Sequence, residues 1–236
     1  MATPTPPPFA PPVLLLHGLA TSAARTWGEN GWLDLLADAG RTALALDLLG
    51  HGDAPKPHEP EGYDELEQAV LDQMPDEPVD AIGFSLGART ILAIASRHPE
   101  RFRRIVTAGV GRNLFEVDHS RAASIQRGIN GTPDEEDPSS QYFAQLAQSP
   151  EVDRVALSAL IRRKHGWPVT REGLTAVTND VLVCIGDADW AGPGDPLVEA
   201  LPNARLKVLR RADHFSTPKD FNFIDAALKF IDAFPA

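Results

Sequence analysis

The chain has 236 residues, which is room for one full α/β domain with a sizeable core and too little for two domains of ordinary size. Its 22 Lys and Arg against 33 Asp and Glu give a formal charge of −11, a poor match for a protein that holds nucleic acid or an anionic membrane surface through basic patches. Cys184 is the only cysteine, so neither an intramolecular disulfide nor a cysteine-built zinc site is available.

The first twelve residues hold six prolines and read as an extended segment, distinct from the rest of the chain. They lack the basic and apolar regions of a signal peptide, and no apolar run is long enough to span a bilayer, so a cytoplasmic location is expected. Val13-Leu14-Leu15-Leu16 is a short, wholly apolar run that ends at His17-Gly18, the pattern of a buried parallel strand. Trp32, Leu33, Leu35, Leu36 and Ala39 recur at helical spacing, and Gly40 ends that helix. Thr42 to Asp47 is a second apolar strand, followed by an irregular loop from Leu48 to Pro60 rich in glycine and proline. A helix is expected from Tyr63 to Met74, a third strand over Val79 to Phe84 and a helix over Leu86 to Arg97. Arg104 to Ala108, Val181 to Ile185 and Ala204 to Leu209 are the remaining strands, with helices near Pro196 to Leu201 and Phe221 to Phe234. Strands alternating with helices imply an α/β fold: a mostly parallel sheet of about six strands with helices on both faces.

One interval breaks this rhythm. Residues 113–179 are too many for a single crossover and carry helix-like patches such as Val155, Leu157, Leu160 and Ile161. The division expected is therefore a Pro-rich segment over 1–12, a core over 13–112 and 180–236, and a helical cap insertion over 113–179.

Gly83-Phe84-Ser85-Leu86-Gly87 fits G-x-S-x-G where a strand must turn sharply into a helix. Small residues on both sides let the backbone pass close by, so the serine hydroxyl can stand above the sheet edge. A plainer role for Ser85 is a helix N-cap. A serine hydroxyl needs a base within hydrogen-bond reach, and the base needs an orienting acid. Among seven histidines, His214 in Asp213-His214-Phe215 lies just past the sixth strand, at the same sheet edge as Ser85. The fifth strand ends in Gly186-Asp187-Ala188-Asp189-Trp190, and spacing alone leaves Asp187 and Asp189 both open as the acid.

In this order the residues resemble the α/β-hydrolase superfamily. The resemblance runs over roughly residues 13–234: His17-Gly18 after the first strand, Asp47-Leu48-Leu49-Gly50-His51-Gly52 after the second, the elbow at Ser85, then Gly186 to Asp189 and His214. It implies Asp189 as the triad acid, with Asp187 the runner-up, and an oxyanion hole made by the backbone N–H groups of Leu86 and Leu19. It also implies structural rather than catalytic roles for His17, Asp47 and His51. The superfamily usually opens with an antiparallel hairpin; with twelve residues before Val13, that hairpin is expected to be missing or vestigial. Serine in place of aspartate at the elbow suits an acyl-enzyme rather than the alkyl-enzyme of dehalogenases and epoxide hydrolases. The expected activity is serine-dependent cleavage of a small or medium, mainly apolar carboxylic ester. A thioesterase, lactonase, carbon–carbon bond hydrolase or perhydrolase would use the same residues, and a non-catalytic binding protein is the alternative from another class. Trp190, Phe215, Phe115, Tyr142 and Phe143 are expected to line an apolar pocket that favours an uncharged acyl group. No metal or organic cofactor is implied; the expected partner is a small-molecule substrate, not nucleic acid or a membrane, and no oligomeric state is specified.

Overall fold

The computed structural model describes residues 10–116 and 118–234. Residues 1–9 of the Pro-rich segment lie outside them. Six strands form one parallel sheet: β1 (Val13–Leu16), β2 (Ala43–Leu46), β3 (Val79–Phe84), β4 (Phe102–Ala108), β5 (Asp180–Gly186) and β6 (Ala204–Leu209), in the order β2-β1-β3-β4-β5-β6. The order reverses at β1 and β3, and a crevice for ligands opens beyond the carboxyl ends of strands at such a switch point.

The alternation of each strand divides its side chains between two apolar layers. Leu14 and Leu16 of β1, Ala81 of β3 and Ile105 of β4 face one layer; Val13, Leu15, Ile82 and Val106 face the other. The first layer is covered by α2 (Leu66–Leu71), α3 (Leu86–Ala95) and α8 (Asp195–Ala200). The second is covered by α1 (Trp32–Asp38) and α9 (Phe221–Phe230), where Trp27, Trp32 and Phe223 are fully buried and pack ring against ring at 5.1–5.2 Å. Both faces of the sheet are thus closed, which is why β1 and β3 are apolar or tightly buried along their whole length.

Several elements differ from expectation by one or two residues at an end, and two helices differ by more. The helix expected over Tyr63 to Met74 is shorter: Pro60–Tyr63 forms a single 3₁₀ turn, α2 ends at Leu71, and Gln73 and Met74 close the segment with i→i−3 bonds to Val70 and Leu71. The last helix stops at Phe230 instead of Phe234, where Asp232 takes φ 56°.

Between β4 and β5 the chain forms α4 (His119–Asn130), α5 (Pro138–Leu146), α6 (Arg154–Ile161) and α7 (Arg171–Leu174). Local chemistry starts each of the first three: Asp118, Asp137 and Asp153 accept backbone N–H bonds at their N-termini, and Gly131 ends α4 at φ 81°. Their apolar faces share a small cluster in which Ile129, Phe143 and Leu157 are buried with Ala20 of the loop after β1. That contact brings these helices over the carboxyl edge of the sheet.

Candidate active site

All six strands run in one direction, so the loops after β1, β3, β5 and β6 emerge on one edge. Ser85 follows β3 directly and has φ 50° and ψ −108°, a conformation that a residue with a Cβ seldom adopts. Two neighbours permit it. A Cβ on Gly83 would stand 2.7 Å from the backbone of Ala88, and one on Gly87 would stand 2.2 Å from the carbonyl oxygen of Leu16. The turn is closed by Ser85 N–H donating to Ala108 O and Gly87 N–H donating to His17 O.

The hydroxyl of Ser85 meets an imidazole. Its Oγ lies 3.0 Å from His214 Nε2, and His214 Nδ1 lies 3.0 and 3.1 Å from the two carboxylate oxygens of Asp189. His214 and Asp189 are both buried. With the proton on Nδ1 donated to Asp189, Nε2 is free to accept one from the serine. Asp189 is itself held by the N–H of Ala191, 2.8 Å from Oδ1. Asp187 points elsewhere: its Oδ1 accepts the N–H of Arg211 at 2.7 Å and serves the turn after β6. Gly109, at φ 67°, leaves space for the imidazole, since a Cβ there would stand 3.0 Å from His214 Cε1. The ring is flanked by Trp190 at 4.4 Å and Phe84 at 5.0 Å.

The loop after β1 is held by two buried neutral histidines. His17 Nδ1–H donates to Gly18 O at 2.7 Å and Nε2 accepts from Leu48 N–H. His51 Nε2 accepts from Ala20 N–H at 3.1 Å, and its Nδ1–H donates to Leu49 O. Burial lowers the pKa of both, and that of His51 is pushed down to about 3. Asp47 takes the N–H groups of Ala23 and Asp53. Among the described residues, the N–H groups of Leu19 and Leu86 donate to no protein acceptor, and both residues border the cavity that contains Ser85. Two unsatisfied donors beside a serine hydroxyl can receive a developing oxyanion.

Two cavities meet at Leu19 and Ser85. The larger, about 490 Å³, is bordered by Leu86, Ile125 and Trp190 and also by Arg89, Arg112, Arg121 and Arg163. The smaller, about 240 Å³, contains His214 and is lined by Phe84, Tyr142, Phe143 and Phe215, with Tyr142 stacked on Phe215 at 3.6 Å. Of the residues expected to form the pocket, Trp190 borders the larger cavity, and Tyr142, Phe143 and Phe215 the smaller. Phe115 borders neither: it packs against the core with Arg171 over its ring. Neither cavity has the purely apolar lining expected: Arg25, Glu29 and Lys219 also border the smaller, and the four arginines with Glu116 and Asp118 the larger. Sequence reading missed those arginines. Arg89 was findable, because it lies four residues, one helical turn, beyond Ser85. Among the described residues no cluster of His, Cys, Asp or Glu could hold a metal ion, and no helix is long and apolar enough to cross a membrane.

Comparison with known proteins gives a consistent picture. The alpha/beta hydrolase fold family matches residues 11–129, half of the chain. A pimeloyl-[acyl-carrier protein] methyl ester esterase of Neisseria meningitidis is 29% identical over 234 residues, covering 86% of this chain and 70% of its own. A 2-hydroxymuconate semialdehyde hydrolase of Pseudomonas putida is 34% identical over 102 residues, 42% of this chain and 36% of that protein. Among solved structures, an enol-lactonase from Burkholderia xenovorans superposes with a TM-score of 0.69 at 20% identity, over 95% of this chain and 92% of that one, which is a likeness of fold.

Proposed function

The chain belongs to the alpha/beta hydrolase fold family, and from that premise we propose that it is a serine hydrolase that cleaves a small or medium carboxylic ester through an acyl-enzyme. The observation that carries this reading is the unbroken series Ser85 Oγ–His214 Nε2 and His214 Nδ1–Asp189, with each contact at 3.0–3.1 Å.

In this reading Ser85 Oγ bonds to the carbonyl carbon as its proton passes to His214 Nε2. The imidazolium is stabilised by Asp189, and the oxyanion receives the N–H groups of Leu86 and Leu19. One such donor is worth about 2.7–4 kcal/mol in the transition state. Collapse of the tetrahedral intermediate breaks the carbon–oxygen bond, and the alcohol leaves with the proton from His214. Water then attacks the acyl-enzyme and gives a proton to His214; collapse breaks the bond to Ser85 Oγ, which takes that proton back from His214 Nε2 as the carboxylic acid leaves. Because His214 must reach the leaving oxygen and borders only the smaller of the two cavities, the alcohol occupies the smaller, aromatic cavity and the acyl chain the larger.

The test is intact-mass analysis after exposure to a fluorophosphonate. One stoichiometric adduct is expected on the wild type and none on Ser85→Ala or His214→Ala. A folded wild type that takes up no label, or a Ser85→Ala variant that hydrolyses esters at the wild-type rate, would sink the reading.

A further inference from the structure

A chain of net charge −11 gathers four arginines around the larger cavity. Three of them have acid partners. Arg112 lies 3.5 Å from Glu116, Arg121 lies 3.9 Å from Asp118, and Arg163 lies 2.6 Å from Glu67. Arg89 has no carboxylate within salt-bridge distance among the described residues. Its side-chain hydrogen bond goes to the carbonyl oxygen of Asn113 at 2.5 Å. It is half-buried, and burial lowers its pKa because the charge is taken out of water.

Four guanidinium groups and three carboxylates leave one positive charge, that of Arg89, on a cavity lining it shares with Ser85. The smaller cavity shows no such excess. There Arg25 is paired with Glu151, while Glu29 and Lys219 are exposed and of opposite sign. A half-buried guanidinium with several free N–H groups is completed by a planar anion, which it can engage with two parallel hydrogen bonds. One excess charge matches a monoanion; a phosphate monoester would bring more than one negative charge.

Position keeps Arg89 next to the serine. Arg89 N–H donates to Ser85 O at 3.0 Å, so Arg89 stands one turn along α3 from the serine. That turn is about 6 Å of backbone along the helix axis, and the guanidinium reaches on to the carbonyl oxygen of Asn113.

We propose that the larger cavity selects esters whose acyl chain carries a carboxylate, that is, hemi-esters of dicarboxylic acids, and that Arg89 is the residue that reads the carboxylate. This rests on the serine-hydrolase reading above and assigns its substrate class.

The experiment compares kcat/KM for the mono-p-nitrophenyl ester of adipic acid with that for p-nitrophenyl heptanoate, a neutral acyl chain of similar size. Wild type is expected to favour the acid ester by roughly 10–100-fold, the range of one hydrogen-bonded charge pair. Arg89→Gln should bring the ratio close to one, and Arg89→Lys should keep an intermediate preference. A wild type with no preference, or an Arg89→Gln variant that loses activity on both esters with its ratio intact, overturns the proposal. Binding of monomethyl adipate, a monoanion, to Ser85→Ala by calorimetry separates the two readings, because it needs no turnover. Binding about tenfold weaker in Ser85→Ala/Arg89→Gln supports the anion site even if no ester is cleaved. Monomethyl adipate affinity that is equal in those two variants, with fluorophosphonate labelling of the wild type intact, leaves the hydrolase reading standing and removes this one. Inorganic phosphate that competes more strongly than monomethyl adipate would overturn the assignment to a carboxylate.

Discussion

The two cavities that meet at Ser85 share a wall and differ in charge. The smaller joins aromatic rings, three of them from α5 and the loop after β6, to Arg25, Glu29 and Lys219; the larger combines leucine and isoleucine with four arginines and two acids. Their common part, Leu19 and Ser85, comes from the sheet edge, whereas Tyr142, Phe143, Arg121, Ile125 and Arg163 come from the interval between β4 and β5. The sheet therefore supplies one fixed reacting geometry, and the helices laid over it supply two unlike surroundings. In the proposed ester hydrolysis, a single set of reacting atoms would then distinguish the two ends of the substrate, because selectivity needs only a change in what lines each side.

The largest effect should come from the shared machinery, and it should be blind to the difference between cavities. Asp189→Asn is expected to lower kcat by on the order of 10³–10⁴ for acidic and neutral esters alike, since the imidazole loses the partner that fixes its tautomer. Asp187→Asn is the contrast: its oxygen still accepts the Arg211 N–H, so kcat should stay within about threefold. Equal losses in the two variants would undo the choice of Asp189.

The elbow that holds both cavities in place comes next. Gly87→Ala puts a methyl group 2.2 Å from the Leu16 carbonyl, and strand β1 or helix α3 must move. A loss of about 2–3 kcal/mol in urea unfolding is expected, with esterase activity reduced on both substrate types. An unchanged unfolding midpoint would show that the elbow has room for a methyl group.

The shared wall can also be probed by pH. His51 titrates near 6.5 when unfolded and is pushed down to about 3 in the folded chain by burial. Between these values the unfolded state binds more protons, so stability is full above pH 6.5 and falls as pH drops toward 3. The contribution has a slope of at most about 1.4 kcal/mol per pH unit. His51→Gln should flatten that part of the stability profile. A profile identical to that of the wild type would show that His51 does not carry it.

The smallest expected effect sharpens the comparison most directly. Phe215→Ala removes the ring stacked on Tyr142 and should cost about tenfold in kcat/KM for esters of aromatic alcohols, with little loss for methyl esters. The preference between acidic and neutral acyl chains should not move. If it moves, the two cavities are not independent.

Much of the molecule was legible in the chain because the relevant signals are local. A buried parallel strand is mostly apolar on both sides, so β1 and β3 announce themselves; these two and β6 have the bounds expected. Ser85 is flagged by glycines at 83 and 87, which the tight approach of Ala88 and Leu16 requires. His214 stands out by following the last strand. Asp187 and Asp189 are two residues apart on one loop, and only the placement of His214 separates them: one carboxylate meets the imidazole and the other meets Arg211. Phe115 misled because an aromatic residue in an inserted segment is equally able to pack inward, which it does.

The order of residues was enough for the parallel sheet, for the edge that carries Ser85 and His214 and for their meeting there, since strand direction and strand-end motifs constrain position whatever is packed above. Which acid joins them, and what each cavity presents, depended on tertiary packing. An arginine on an amphipathic helix has the same pattern whether it faces water or a cleft, and its setting depends on how that helix docks and on which carboxylates the docking brings within reach.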